Sequence, residues 1–342
     1  MKKIVAFGEL LLRLTSSGYN RFFQDNHFFA SFGGAEANVA VSLSNFGLNT
    51  EFVSTLPSNE IGVAAVRELR YFGVETSYIK LKDGRMGLYF LEKGASQRSS
   101  KVIYDRAYSV FSQSQNRDYD WNVIFQDVEW FHFSGITPAL SDELKNICLF
   151  ACREAKKMGI VISCDLNYRA KLWSSEKAKS VMTKLMQYVD VCIANEEDAD
   201  KVLGIHADDI NVQTGNVLPR KYEQVAKQIC DKFGCKYVAF SLRKSFSASQ
   251  NGWSVMLYDR LLDVSSHSRE YQIQIVDRIG SGDSFAAGII YGIMTKMSNQ
   301  EIVDFAAAAS CLKHSVEGDF NRTFISEVTS LMHSSGNGRV VR

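Results

Sequence analysis

Residues 276 to 292, VDRIGSGDSFAAGIIYG, set Asp283 directly behind Gly280, Ser281 and Gly282 and ahead of a run of small and apolar residues. Phe285, Ala286, Ile289, Ile290 and Ile293 recur at helical spacing, so Gly280 to Asp283 reads as the loop and first turn of a buried helix. Free N–H groups at a helix start bind an anion, and glycines let the backbone approach it closely. A carboxylate at that spot, kept ionised by the helix dipole, is placed to take a proton from a hydroxyl beside the anion. Simple capping of the helix by Asp283 fits this stretch as well. A second corner, SFGGAEANVAVSLSNFG at residues 31 to 47, runs Gly33-Gly34 into a helix whose first turns carry Glu36 and Asn38. Polar groups converge there too, although close packing on Ala35 and Ala37 would equally account for the glycines. The chain has no G-x-x-x-x-G-K-[ST], and Phe285 stands where a dinucleotide fingerprint needs its third glycine.

These corners need a scaffold. Short apolar runs alternate with longer helical patterns, the signature of an α/β protein with a parallel sheet covered on both faces. Strands are expected at Ile4 to Phe7, Glu51 to Thr55, Trp130 to Ser134, Ile160 to Asp165, Val189 to Ala194 and Tyr237 to Ser241. Helices are expected at Ala37 to Phe46 and Asp142 to Met158, closed by Gly47 and Gly159. Residues 19 to 32 and 86 to 110 break the rhythm: both read as aromatic-rich strands without an intervening helix, either a small sheet forming a lid or surface hairpins. Residues 205 to 220 read as a loop insertion and the end of the chain as a frayed tail.

Lys and Arg total 39 against 38 Asp and Glu, so no global field attracts nucleic acid or an anionic membrane. Glu9 and Arg13 interrupt the N-terminal MKKIVAFGELLLRL, which has no small-residue cleavage site and reads as a first buried strand. No run is long enough to span a bilayer. Seven scattered cysteines without a C-x-x-C pair suit reduced thiols and a cytoplasmic setting. Cys311 and His314 resemble half a metal site, but packing explains them better because no second half is visible.

With GGAEANVA near the start and GSGDSFAAG near the end, the chain resembles the ribokinase-like family of carbohydrate kinases. GLYFLEKG, VIYDRA, FHFSGITPAL, DLNYRAKLW, NEEDA and SLRKSFSAS resemble the members that act on 2-keto-3-deoxygluconate. The likeness covers roughly residues 3 to 325. It implies a three-layer α/β/α sandwich spanning residues 1 to 330, a β-sheet lid from segments 13–32 and 84–112, and a flexible tail at 331–342. The implied activity is ATP-dependent phosphorylation of the terminal hydroxyl of that acid sugar in the cytoplasm, as in the Entner-Doudoroff route.

The same resemblance assigns roles. Asp283 is the base, and Gly280, Ser281 and Gly282 form the anion hole. A sugar acid needs fixed cations, which Arg106 and Arg169 supply. Tyr89, Tyr104, Gly34 and Asn38 would contact the sugar, with Asp319 closing the pocket. Asn195, Ser241 and Arg243 or Lys244 fall on the ATP side, where Glu197 or Asp198 would organise Mg2+ through water, and the need for a monovalent cation stays open. Lids of the family pair, which implies a homo-oligomer. The chain departs from the signature at Arg278 and Ser281, and Glu9-Leu10 replaces an aspartate that relatives use for sugar hydroxyls. A kinase for another sugar, such as fructose, and a non-catalytic sugar-binding regulator are the rival readings.

Overall fold

A computed structural model describes residues 3–195, 197–206 and 219–334. The chain opens with β1 (Lys3–Phe7), β2 (Leu11–Ser16), β3 (Phe28–Gly33), α1 (Ala35–Asn45), β4 (Asn49–Pro57), α2 (Glu60–Tyr71) and β5 (Ile79–Lys82). Then come β6 (Leu88–Glu92), β7 (Lys101–Asp105), α3 (Trp121–Ile124), β8 (Val128–Ser134), α4 (Ile136–Ala139) and α5 (Asp142–Lys157). The middle holds β9 (Val161–Asp165), α6 (Ser175–Leu185), β10 (Val191–Ala194), α7 (Pro219–Phe233) and β11 (Tyr237–Ser245). Three antiparallel strands follow, β12 (Gln250–Asp259), β13 (Val264–His267) and β14 (Tyr271–Gln274), and then α8 (Ser281–Met294), α9 (Asn299–Lys313) and α10 (Ile325–His333).

The large sheet runs β13-β12-β11-β10-β9-β8-β1-β4-β5, with β14 paired to β12. From β11 to β5 every neighbouring pair is parallel. Its central strands are buried on both faces, so adjacent residues serve different layers. Phe7, Phe131, Phe133, Cys164, Cys192 and Val238 pack with α5, α6 and α7. Ile4, Trp130, Val191, Ile193 and Ala239 pack with α8, α9 and α10. This is a three-layer sandwich. Helix α5 shows why the layers close: Leu144, Ile147, Cys148, Ala151, Cys152 and Ala155 form one buried stripe. Ser141 caps its start, and Gly159, at φ 73°, supplies the left-handed residue after its end.

A second sheet, β3-β2-β6-β7, stands over one end of the first. Here the structure corrects several sequence expectations. The N-terminal run is two strands in two sheets, β1 in the large one and β2 in the small one, with Glu9 at the crossing. Of the aromatic stretch 19 to 32, only Phe28 onward is strand. Helix α10 extends to His333, so residues 331–333 are not tail. Most of the expected insertion, residues 207–218, and the chain end, 335–342, lie outside the described residues.

Arg13 points inward from β2 with 2% of its side chain exposed. Its guanidinium donates to Thr15 Oγ1 at 2.7 Å, to Asp319 Oδ1 at 2.8 Å and to Asp277 Oδ2. Burial opposes this charge, but Tyr89, Asp277 and Asp319 together hold its pKa above the ordinary arginine value. Replacing Arg13 with Met leaves two buried carboxylates without their cation. Equilibrium urea unfolding of Arg13→Met is expected to show a loss of about 3 to 5 kcal/mol. A loss below about 1 kcal/mol, the worth of an exposed pair, would contradict this reading.

Candidate active site

A cavity of about 400 Å3 lies between the two sheets, at the carboxyl ends of the parallel strands. Strand ends are where open α/β sheets gather loops and therefore ligands. Glu9 enters from the end of β1, Gly34 and Asn38 from the start of α1, Asp165 from β9, Ser241 from β11 and Asp283 from α8.

The floor is the start of α8. Gly280 caps it in the left-handed conformation, φ 80°, and a Cβ there would strike the Asp319 carbonyl. No side chain caps this end, and the first intrahelical bond is Ser284 N–H to Gly280 O at 2.9 Å. The preceding N–H groups of Ser281, Gly282 and Asp283 therefore project from the helix end. Asp283 Oδ2 accepts from Asn38 Nδ2 at 2.7 Å, while Asn38 Oδ1 accepts from the Gly34 N–H at 3.3 Å. Asn38 thus ties the two glycine corners together. Burial raises the Asp283 pKa to about 7, the Asn38 hydrogen bond opposes the rise, and Asp319 and Glu36 add to it. The expectation that the helix dipole simply keeps this carboxylate ionised is corrected: enclosure places it at the edge of titration.

Other carboxylates crowd the same space. Glu36 is buried and accepts from Ser134 N–H at 2.9 Å, Ser134 Oγ at 2.7 Å and Thr137 Oγ1 at 2.8 Å. Burial still holds its pKa above the usual range. Asp165 is raised well above it by burial and by Asp198 and Asp283. Asp198 turns both oxygens to the backbone, accepting from Tyr168 N–H at 2.9 Å and Asn195 N–H at 3.0 Å. Asn195 Oδ1 in turn accepts from the N–H groups of Glu197 and Asp198. Among the described residues no group of three or more His, Cys, Asp or Glu is arranged to hold a metal.

Two arginines line the part of the cavity nearest the small sheet and β9. Asn167, left-handed at φ 41°, turns the chain after β9 so that Arg169 lines the cavity, where its Nη1 donates to the Tyr168 carbonyl at 2.9 Å. Arg106 lines it from the end of β7, but its guanidinium grips Glu9 Oε2 through Nε and Nη2, while Ser109 Oγ donates to Oε1. Tyr104 lies beneath the Arg106 guanidinium, 5.5 Å from ring centre to Cζ. Tyr89 donates its hydroxyl to Asp319 Oδ1 at 2.5 Å and is almost fully buried.

At the opposite end, Ser241 and Arg243 share one face of β11 and line the cavity. Arg278 joins them, its pKa lowered by burial and by Arg243. Asn251 Oδ1, Trp253 Nε1 and Arg278 Nε are buried without a hydrogen-bond partner. His314 completes this wall, its ring edge-on to Trp253 at 5.1 Å and its Nδ1 at 2.7 Å from the Ser310 carbonyl.

The sequence profile described as pfkB family carbohydrate kinase matches residues 1–233 and 255–322. The chain belongs to this family. Among solved structures, it resembles 2-dehydro-3-deoxygluconokinase from Thermotoga maritima, with a TM-score of 0.94 and 47% identity over 98% of this chain and 100% of that one. It is 28% identical to a 2-dehydro-3-deoxygalactonokinase from Haloferax volcanii, over 98% of each chain. It is 26% identical to a 2-dehydro-3-deoxygluconokinase from Bacillus subtilis, over 93% of this chain and 91% of the relative.

In this carbohydrate kinase the cavity gathers Gly34, Asn38, Tyr89, Tyr104, Arg106, Arg169, Asn195, Glu197, Asp198, Ser241, Arg243, Gly280, Ser281, Gly282, Asp283 and Asp319. Lys244 is the exception. Strand alternation turns it to the other face of β11, where it pairs with Glu270 at 2.6 Å. Several residues brought together here carry other bonds than those expected of them: Asn38 holds Asp283, Tyr89 holds Asp319, and Arg106 holds Glu9. Sequence reasoning missed Asn251 and Trp253, which lie on β12 with no motif around them, and its reading of His314 as packing is incomplete, since that ring also lines the cavity. It also missed Arg13, whose only signal was a charge inside an apolar run.

Proposed function

We propose that this kinase transfers the γ-phosphoryl group of ATP to the terminal hydroxyl of 2-keto-3-deoxygluconate, which is 2-dehydro-3-deoxygluconate. The observation that carries the reading is Asp283: a proton acceptor poised at about 7, beside projecting N–H groups, facing Arg169 across the cavity. A base works best when its pKa lies near the working pH. Asp283 takes the hydroxyl proton, the sugar oxygen attacks the γ-phosphorus, and the N–H groups of Ser281, Gly282 and Asp283 stabilise the charge gathering on the transferred oxygens. The proton ends on Asp283 and the leaving group is ADP.

Arg169 is the cation offered to the substrate carboxylate, because the Arg106 charge is already committed to Glu9. Glu9 thereby gives a physical use to the departure from the aspartate of related sugar kinases: it fixes Arg106 as a wall of the pocket. On the nucleotide side, Arg243 and Arg278 face the phosphates, and the orphaned Asn251 Oδ1 and Trp253 Nε1 offer an acceptor and a donor to the base. Magnesium, carried on the ATP phosphates and their waters, would neutralise their charge. Glu197, exposed at the cavity rim, suits an outer contact with that ion better than Asp198, which is turned to the backbone. The kinship with 2-dehydro-3-deoxygluconokinases and a 2-dehydro-3-deoxygalactonokinase supports an acid sugar over a neutral one.

The test is ADP release with Mg2+, ATP and a panel of acidic and neutral sugars. 2-Keto-3-deoxygluconate should give the highest kcat/KM, and Asp283→Asn should lower kcat roughly 100- to 10,000-fold while ATP still binds. Arg169→Ala should cost the acid sugar about 2 to 5 kcal/mol in kcat/KM and leave a neutral sugar nearly unaffected. A neutral sugar turning over fastest, or full turnover by Asp283→Asn, would sink the respective assignment.

The small sheet also supports pairing of two copies. Ala30, Leu14, Phe90 and Ile103 are registered side by side along its outer face, and Phe23 and Phe29 are exposed nearby. An apolar face of this kind is costly in water and is covered by a second lid in a homo-oligomer. Sedimentation equilibrium at micromolar protein should show more than one subunit, shifting toward monomer in Phe90→Glu. A monomer before substitution would refute the pairing.

A further inference from the structure

Helix α9 ends on Lys313, a lysine with no exposed surface. Its Nζ donates to the backbone carbonyls of Val316 at 3.1 Å and Gly318 at 2.8 Å. Both acceptors are neutral, so the ammonium sits in a carbonyl-lined niche much as a bare cation would. Burial and Arg13 lower its pKa, while Asp277, Asp319 and Asp283 favour its charge. The niche lies behind the phosphate loop: a Cβ on Gly280 would stand 3.2 Å from Lys313 Cε. The catalytic scheme above gives this side chain no task, yet a buried charge this close to the anion hole raises the local positive potential where the phosphate must sit.

We propose that Lys313 is a built-in cation for the phosphate loop, filling the carbonyl niche behind Gly280 that a monovalent metal ion would otherwise take. Monovalent-cation dependence, left open by the family resemblance, is therefore absent because the chain itself supplies the cation. Lys313 touches neither substrate, so it is a positioning residue: it steadies the loop that carries the Ser281, Gly282 and Asp283 N–H groups. The inference rests on the kinase reading of the cavity.

The experiment compares turnover in potassium, sodium and tetramethylammonium chloride at one ionic strength, with Mg2+, ATP and the best sugar of the panel. The unaltered enzyme should differ by less than about twofold across the three salts, since its niche is already filled. Lys313→Ala should lose roughly 100-fold in tetramethylammonium and recover much of it in potassium, which enters the vacated niche. Potassium stimulation of the unaltered enzyme beyond about fivefold would overturn the proposal, as would a Lys313→Ala enzyme that is fully active or equally impaired in every salt. If Lys313→Ala does not fold, the salt series on the unaltered enzyme decides alone. If no sugar turns over, the substrate reading has failed instead, and the same salt comparison is read from calorimetric binding of Mg-ATP. Potassium-dependent binding by the unaltered enzyme then overturns the proposal, and salt-independent binding upholds it.

Discussion

Arg13 keeps a full positive charge almost out of contact with water, and the floor of the site is built around that fact. Its guanidinium joins Asp277, at the start of the glycine loop before α8, to Asp319, in the loop after α9. It does so from β2, a strand of the small sheet. Asp319 then holds Tyr89 on β6, and Asp277 accepts from the Gly318 and Ile279 N–H groups. One buried ion cluster thus couples the small sheet, the glycine loop before α8 and the C-terminal helices. Such a cluster costs desolvation that only close pairing repays. The gain is geometric: the N–H groups of α8 and the lid residues above them hold one arrangement.

The second constraint is an excess of carboxylates in an enclosed space. Besides burial, Asp198, Asp283 and Glu36 raise the cost of ionising Asp165, and Asp319 and Glu36 raise that of ionising Asp283. A protein selected only for stability would replace some of them with apolar groups. Their retention makes sense if cationic partners arrive with the substrates, and if one of the carboxylates must pick up a proton during each turnover. Asn38 tethers Asp283 through one donor, whereas Glu36 Oε1 alone already accepts three hydrogen bonds from Ser134 and Thr137.

Much of this was legible in the sequence because it is local. Gly280 through Asp283 before Phe285 and Ala286 spells a glycine-capped buried helix, and the stripe from Leu144 to Ala155 spells α5. Gly47, at φ 78°, and Gly159 marked helix ends through backbone conformation, a property of the residue itself. What stayed hidden is pairing at long range. Nothing near Arg106 announces Glu9, 97 residues earlier, and nothing near Arg13 announces Asp319, 306 residues later. Arg243 and Lys244 are adjacent cations in sequence. Only the register of β11 sends one to the cavity and the other to Glu270. The break between β1 and β2 was equally invisible, because both halves of MKKIVAFGELLLRL are apolar enough for a strand and Gly8 gives no hint of a change of sheet.

The account turns on Asp283 being a base whose poise is set by enclosure and by Asn38. Its direct test is the pH dependence of kcat/KM for 2-keto-3-deoxygluconate, measured on the unaltered enzyme and on Asn38→Ala. A group whose folded pKa is raised to about 7 must be deprotonated to act, so activity should rise through that pH and flatten above it. Losing the Asn38 donor, which favours the ionised form, should move this acidic limb to higher pH. A limb near the ordinary carboxylate range of about 4, unmoved in Asn38→Ala, would contradict the assignment.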